Sequence, residues 1–283
     1  MDVNNLQGKK SSSRRDFLKG SAALTATAAL APIGLARAEG KLSSQNGNGN
    51  GNGIGVCTLA PEQISGPYFR NSKIVRRDIT DSEAGIPFLL KVTIMDEKTC
   101  KPVDKLFVDI WHCNSRGKYS GWSYISPDIP PEVGEISGIN RTDDKVFLRG
   151  AQQSDKNGVV NFTTIYPGFY VGRATHIHIA IRQISKDINE EEHFAFVGQM
   201  YFPEEINTEV YKYDLYSKRR VIRTKNHEDN YFKNMSGHLS EIKLTKIDES
   251  DINRGILGEI ILSVDLENIS NFITKDDLYS HTV

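Results

Sequence analysis

Residues 88–96, FLLKVTIMD, alternate between apolar and polar side chains with the period of two expected of a half-buried strand. The same β-branched and aromatic character recurs in LFVDIWHC (106–113), KVFLRGAQ (145–152), VVNFTTIY (159–166), THIHIAIR (175–182), FAFVGQMYF (194–202) and EIILSVDL (259–266). Turn chemistry separates these runs, in DEKTCKPVDK (96–105), SDKNG (154–158) and YPGFYVG (166–172). The pattern predicts an all-β protein, a sandwich or barrel of strands. One helix is expected over PEEINTEVYK (203–212), with Pro203 suited to its first turn. Beyond 207, and above all in KRRVIRTK (218–225), the chain reads as solvated surface. No internal repeat or second shift of composition interrupts the strands, so one domain is expected from about 56 to 270, followed by a tail at 271–283.

The first 38 residues differ from this body. SRRDFLK (13–19) resembles a twin-arginine motif, an uncharged Ala-rich stretch follows from Gly20 to Ala36, and Ala36-Arg37-Ala38 offers a small-x-small cleavage site. Residues 1–38 are therefore read as an export signal, which implies a periplasmic or secreted protein with no membrane span once the signal is removed. Residues 39–55, with NGNGNGNGIG at 46–55, are a polar low-complexity linker. Of the 35 Lys and Arg and 36 Asp and Glu, six cations and two acids lie in the signal, leaving 29 against 34. An acidic body argues against a nucleic-acid partner. In an oxidising compartment the three cysteines, Cys57, Cys100 and Cys113, predict one disulfide and one thiol, with three pairings open.

The candidate chemistry centres on RATHIHIAI (173–181). Ile177, Ile179 and Ile181 point to one face and His176, His178 and Ala180 to the other. Imidazoles two apart on a strand are separated by about 7 Å at Cα and can converge on one metal ion. Tyr170 lies just upstream on a Pro-Gly turn. A phenolate is a hard anionic oxygen donor, and with two imidazoles it suits a trivalent iron better than zinc or copper(I). His112, in line with Leu106, Val108 and Ile110, reads as a packed, hydrogen-bonded histidine and not a ligand.

PGFYVGRATHIH resembles the signature of the intradiol ring-cleavage dioxygenases, a Tyr on a P-G-x-Y turn followed by R-P-A-H-I-H. Three more stretches resemble that family in order along the chain: SGPYF (65–69), LFVDIWHCNSRGKYSG (106–121) and GQMYFPEE (198–205). The resemblance implies a β-sandwich of mainly antiparallel strands with long active-site loops. It implies a non-haem Fe(III) held by Tyr119, Tyr170, His176 and His178, with Tyr124 and Tyr166 as competing candidates for the second phenolate. Two phenolates, two imidazoles and a hydroxide would balance the charge of the ion. The substrate implied is a catechol-type ortho-diphenol, opened by O2 between its two hydroxyl-bearing carbons to a muconate-type diacid, as in aromatic catabolism. Arg173 would stabilise developing negative charge, Tyr170 would act as the released base, and Gln199 would contact substrate. The alternative is a non-enzymatic β-sandwich binding module for catechol-bearing ligands such as siderophores.

The match departs from the family in two places. The approach from Tyr170 to His176 is short, which predicts a more open pocket, and the segment 123–144 is long, which could bring Trp122 or Tyr124 over the metal. Cys57 to Pro87 is too short for the helical dimerisation segment of catechol 1,2-dioxygenases. The chain is therefore more similar to the protocatechuate-type catalytic subunit and to secreted relatives, with a homo-oligomer left open.

Overall fold

The computed structural model describes residues 57–130, 139–183 and 193–273. The expectations for the signal at 1–38, the linker at 39–55, part of the 123–144 segment and the tail from 274 onward lie outside the described residues.

Six strands come first: β1 (Pro87–Asp96), β2 (Phe107–Trp111), β3 (Arg149–Gln153), β4 (Val159–Ile165), β5 (His176–Gln183) and β6 (His193–Tyr201). The short helices α1 (Glu204–Val210), α2 (Asp214–Ser217) and α3 (Asn230–Asn234) follow, then β7 (Lys243–Lys246) and β8 (Ile256–Val264). The strands make two four-stranded sheets, ordered β4-β1-β8-β7 and β3-β2-β5-β6. Every pairing within them is antiparallel except β1 with β8. Phe88, Leu90, Val92 and Ile94 of β1 meet Val108 and Ile110 of β2 and Ile177, Ile179 and Ile181 of β5 in one buried cluster. That cluster joins the inner faces of both sheets, so the molecule is a β-sandwich, and each such side chain contributes roughly 1.5–3 kcal/mol by leaving water.

β5 departs from a simple inside–outside alternation: His176 to Arg182 are buried on both faces. The face turned away from the sandwich interior is covered by a second cluster containing Tyr68, Phe69, Trp111, Tyr119, Trp122 and Tyr170. Loops thus build a second core on the outside of the second sheet, and the polar residues of β5 lie beneath it.

The predicted strand at 145–152 starts only at Arg149. Leu148 sits at φ 56°, a left-handed conformation that a pleated strand does not accommodate. The expected helix is α1, entered from Pro203. The surface reading beyond 207 is overturned: Tyr216, Asn226 and Asp229 are buried there. In the basic run, Arg219 is hydrogen-bonded to Asp128 and to the Phe169 carbonyl, and Arg223 donates to Glu204 Oε1 at 3.0 Å. At the far end, Ile273 is still buried against the second cluster, so the packed body extends past residue 270. Cys57 and Cys100 form a disulfide with Cα atoms 5.6 Å apart, and Cys113 is a buried thiol.

Candidate active site

The sheet register lays Arg149, Trp111, His178 and Gln199 side by side as one row across β3, β2, β5 and β6. One step along, His176 pairs with Tyr201. Because side chains two apart share a face, both histidines, Gln199 and Tyr201 project under the loop-built cluster.

Two turns deliver the tyrosines. After β2 the chain folds around Asn114, whose Oδ1 accepts from the N–H groups of Arg116 at 3.1 Å and Lys118 at 3.0 Å. After β4 it passes through Pro167-Gly168, and the Gly168 N–H donates to the Asn114 carbonyl at 3.1 Å. A Cβ at Gly168 would stand 2.5 Å from that carbonyl oxygen and 2.6 Å from that of Ser115, so glycine is what lets the turns touch. Tyr119 and Tyr170 consequently face each other with ring centroids 5.9 Å apart. Tyr119 is 6.2 Å from His178 and Tyr170 is 5.8 Å from His176 by the same measure. The competing tyrosines stand elsewhere: Tyr124 is 75% exposed, and Tyr166 donates to Asn207 Oδ1 at 2.8 Å inside the main core.

The histidine Nε2 atoms face each other at 3.1 Å. His176 Nδ1–H donates to the Ala174 carbonyl at 2.7 Å, which leaves its Nε2 as a bare lone pair. His178 Nδ1 and the Tyr119 hydroxyl are buried with no hydrogen-bond partner. His178 is also stacked flat on Trp111, with centroids 5.0 Å apart. Burial, and next the Arg173 charge, lower the His176 pKa to about 3, and burial followed by His176 holds His178 well below the usual histidine range. Both imidazoles are therefore neutral, the form that binds a cation. Burial pushes both phenols up; for Tyr170 the Arg173 guanidinium opposes it. Among the described residues no group of three or more His, Cys, Asp and Glu is placed to hold a metal ion, and the two phenols are oxygen donors buried beside the imidazoles. The donors do fit one hard cation. Imidazoles bound side by side at about 2.1 Å have nitrogens about 3 Å apart, and a nearby positive charge would reverse the upward shift of the phenols.

Arg173 is buried, and each of its three guanidinium nitrogens donates a hydrogen bond. Its Nε donates to Asp229 Oδ2 at 2.8 Å, Nη1 to the Tyr170 hydroxyl at 3.0 Å and Nη2 to Gln199 Oε1. Gln199 Nε2 donates to the Ile64 carbonyl at 3.0 Å. The structure thus brings together all six residues predicted from sequence. His112 lies apart, its Nδ1–H donating to the Cys113 carbonyl and its Nε2 accepting from Thr164 Oγ1, both at 2.8 Å.

The expected openness is not observed, since Tyr119, Tyr170, His176 and His178 are each at most 4% exposed. Tyr68 covers them, stacked on Tyr119 at 4.6 Å and edge-on to Tyr170 at 5.9 Å. Trp122 is buried behind Tyr68, with its Nε1–H donated to the Ile139 carbonyl at 2.7 Å. Sequence reasoning assigned nothing to Tyr68 or Asp229. Tyr68 sits in a stretch already singled out, SGPYF. Asp229 carries only the local signature of a helix N-cap, and its partner Arg173 is 56 residues away.

A solved intradiol ring-cleavage dioxygenase from Tetranychus urticae is 31% identical to the chain, with a TM-score of 0.66 over 76% of this chain and 98% of that one. A second solved dioxygenase is likewise 31% identical, with a TM-score of 0.65 and the same shares covered. Residues 11–31 match the twin-arginine translocation (TAT) pathway signal sequence. No curated protein matches the chain. The chain belongs to the intradiol ring-cleavage dioxygenase family. It is an intradiol ring-cleavage dioxygenase carrying a twin-arginine export signal, and no helix among the described residues is long and apolar enough to cross a membrane.

Proposed function

We propose that this enzyme opens the ring of a catechol-type ortho-diphenol with O2, between the hydroxyl-bearing carbons, to a muconate-type diacid. We assign Tyr119, Tyr170, His176 and His178 as ligands of a non-haem Fe(III), with the reaction taking place in the periplasm or outside the cell. The observation that carries this reading is the pair of imidazole Nε2 atoms 3.1 Å apart beside two buried phenols. Bound there, Fe(III) would chelate the diphenolate and draw electron density from its ring, opening a ring carbon to O2.

The chain's own groups supply the rest. Held as a phenolate by the ion, the Tyr170 oxygen would accept one of the two protons the diphenol loses, the other going to the hydroxide expected to balance the ion, and Arg173 Nη1, 3.0 Å away, keeps a donor on the Tyr170 oxygen. The Arg173 guanidinium, already paired, offers fixed positive charge to the oxygens of the substrate without reorganising. Gln199 holds Arg173 on one side while tied to the Ile64 backbone on the other. Tyr68 and Trp122 keep water from the reacting ring. The test is oxygen uptake against a panel of ortho-diphenols, with iron content and visible spectrum taken on the same sample. One O2 consumed per diphenol by a coloured, iron-containing protein is expected. A protein that stays colourless after iron loading and takes up no oxygen would overturn the proposal.

A further inference from the structure

Asp229 is a fully buried carboxylate in the stretch between β6 and β7. Four donors fill its two oxygens. Oδ2 accepts from Arg173 Nε at 2.8 Å and from the Ala174 N–H at 2.7 Å. Oδ1 accepts from the N–H groups of Tyr231 at 2.8 Å and Phe232 at 3.1 Å, capping α3. Ala174 in turn offers its carbonyl to His176 Nδ1–H at 2.7 Å. One carboxylate therefore holds the guanidinium that reaches Tyr170 and Gln199 and, through a single backbone residue, the ring of His176.

The capped helix returns to the same groups. Tyr231 places its ring 4.4 Å from the Arg173 guanidinium carbon, and Phe232 meets Tyr201 edge-on at 5.0 Å. Gln63 closes the circuit: its Nε2 donates to the Met235 carbonyl at 3.0 Å, and its Oε1 accepts from the Tyr201 hydroxyl at 2.8 Å. A carboxylate fits this position and its neutral isostere does not. In either orientation an asparagine would turn an NH2 group toward two N–H donors, and it would leave a buried guanidinium without its counter-charge.

We infer that Asp229 is a positioning residue for ring cleavage, acting through Arg173 on the substrate side and through Ala174 on His176. This rests on the assignment of those residues under the proposed function. The test compares Asp229→Asn with wild type in iron affinity, by competition with a chelator, in the visible spectrum, in kcat and KM with an ortho-diphenol, and in melting temperature. Outer partners of metal ligands typically matter by about 10–100-fold. Asp229→Asn is therefore expected to weaken iron binding and lower kcat by about that factor, with a displaced visible band and a smaller change in KM. A variant that only melts earlier, with iron affinity, band and kcat unchanged, overturns the inference.

The second arm repeats the change in an Arg173→Met background. There Asp229→Asn is expected to lower kcat by less than it does in wild type, because the guanidinium route is already gone and only the route through Ala174 to His176 remains; a loss as large as in wild type overturns the guanidinium route. If Asp229→Asn does not fold, Asp229→Glu, which moves the carboxylate by one methylene, is measured in its place against the same outcomes. A wild type that binds iron but consumes no oxygen defeats the proposed reaction, while the chelator competition still decides Asp229.

Discussion

At the scale of the residue, the contrast between Tyr119 and Tyr166 shows how environment divides identical side chains. The Tyr119 hydroxyl is buried without a partner beside the two histidines, whereas that of Tyr166 is satisfied by Asn207 between the sheets. Tyr119→Phe is expected to bleach or shift the visible band of the iron-loaded protein, read by absorbance at matched iron content. Tyr166→Phe is expected to leave the band alone and to cost about 1–3 kcal/mol in denaturant unfolding, because it strands the Asn207 acceptor. His112 makes a pH-dependent contribution. Burial lowers its pKa from 6.5 to about 4, so the unfolded chain binds the proton more tightly. Its stabilisation is complete above pH 6.5 and is lost as pH falls toward 4, a span worth roughly 3 kcal/mol. The melting temperature should therefore fall less between pH 7 and 4 in His112→Gln than in wild type.

At the scale of the element, the site depends on the contact between two turns. Adding a methyl group at Gly168 would press on the Asn114 and Ser115 carbonyls, which are backbone and cannot swing aside. Gly168→Ala is expected to destabilise the fold by about 1–3 kcal/mol and to lower kcat by separating Tyr170 from Tyr119, both measurable on one preparation. Asp143 supports the tyrosine turn from the long segment that follows it. It accepts from the Gly121 N–H at 3.0 Å, the Ser123 N–H at 2.8 Å and the Lys145 N–H at 3.0 Å. The strands and α1 were legible as elements because each carries its own period and turn chemistry. β7, four residues of KLTK at a sheet edge, was not, since so short a polar run has no period to read. The start of β3 was misplaced because a left-handed Leu148 carries no compositional mark.

At the scale of the molecule, the disulfide joins the start of the described chain to the β1–β2 connection. Closing a loop between residues 43 apart constrains the unfolded chain, and a bridge of this size contributes about 2–4 kcal/mol. Reduction, or the paired exchange Cys57→Ser and Cys100→Ser, should lower the melting temperature without altering the visible spectrum, because neither cysteine belongs to the cluster that covers the histidines. The two layers of core have different origins. The inner one is built mainly from facing strands, and in the outer one loop residues such as Tyr68, Tyr119, Trp122 and Tyr170 close over Trp111, Ala180, Phe194 and Val197 of the second sheet, which is why the polar face of β5 is as dry as its apolar face.

The sequence by itself determined the strand class of the fold and five of the residues that meet at the site, Tyr170, Arg173, His176, His178 and Gln199; it narrowed the second phenol to three tyrosines and led to the expectation of one disulfide with one thiol to spare. These are carried by local periodicity and by ordered short motifs. Only the tertiary structure decided which cysteines pair, that Tyr119 and not Tyr124 or Tyr166 stands beside the histidines, that Tyr68 closes the site, and that Asp229 anchors Arg173. Each of those is a contact between residues far apart in the chain. Such contacts depend on how sheets, turns and caps pack in three dimensions, and no local pattern of side chains records them.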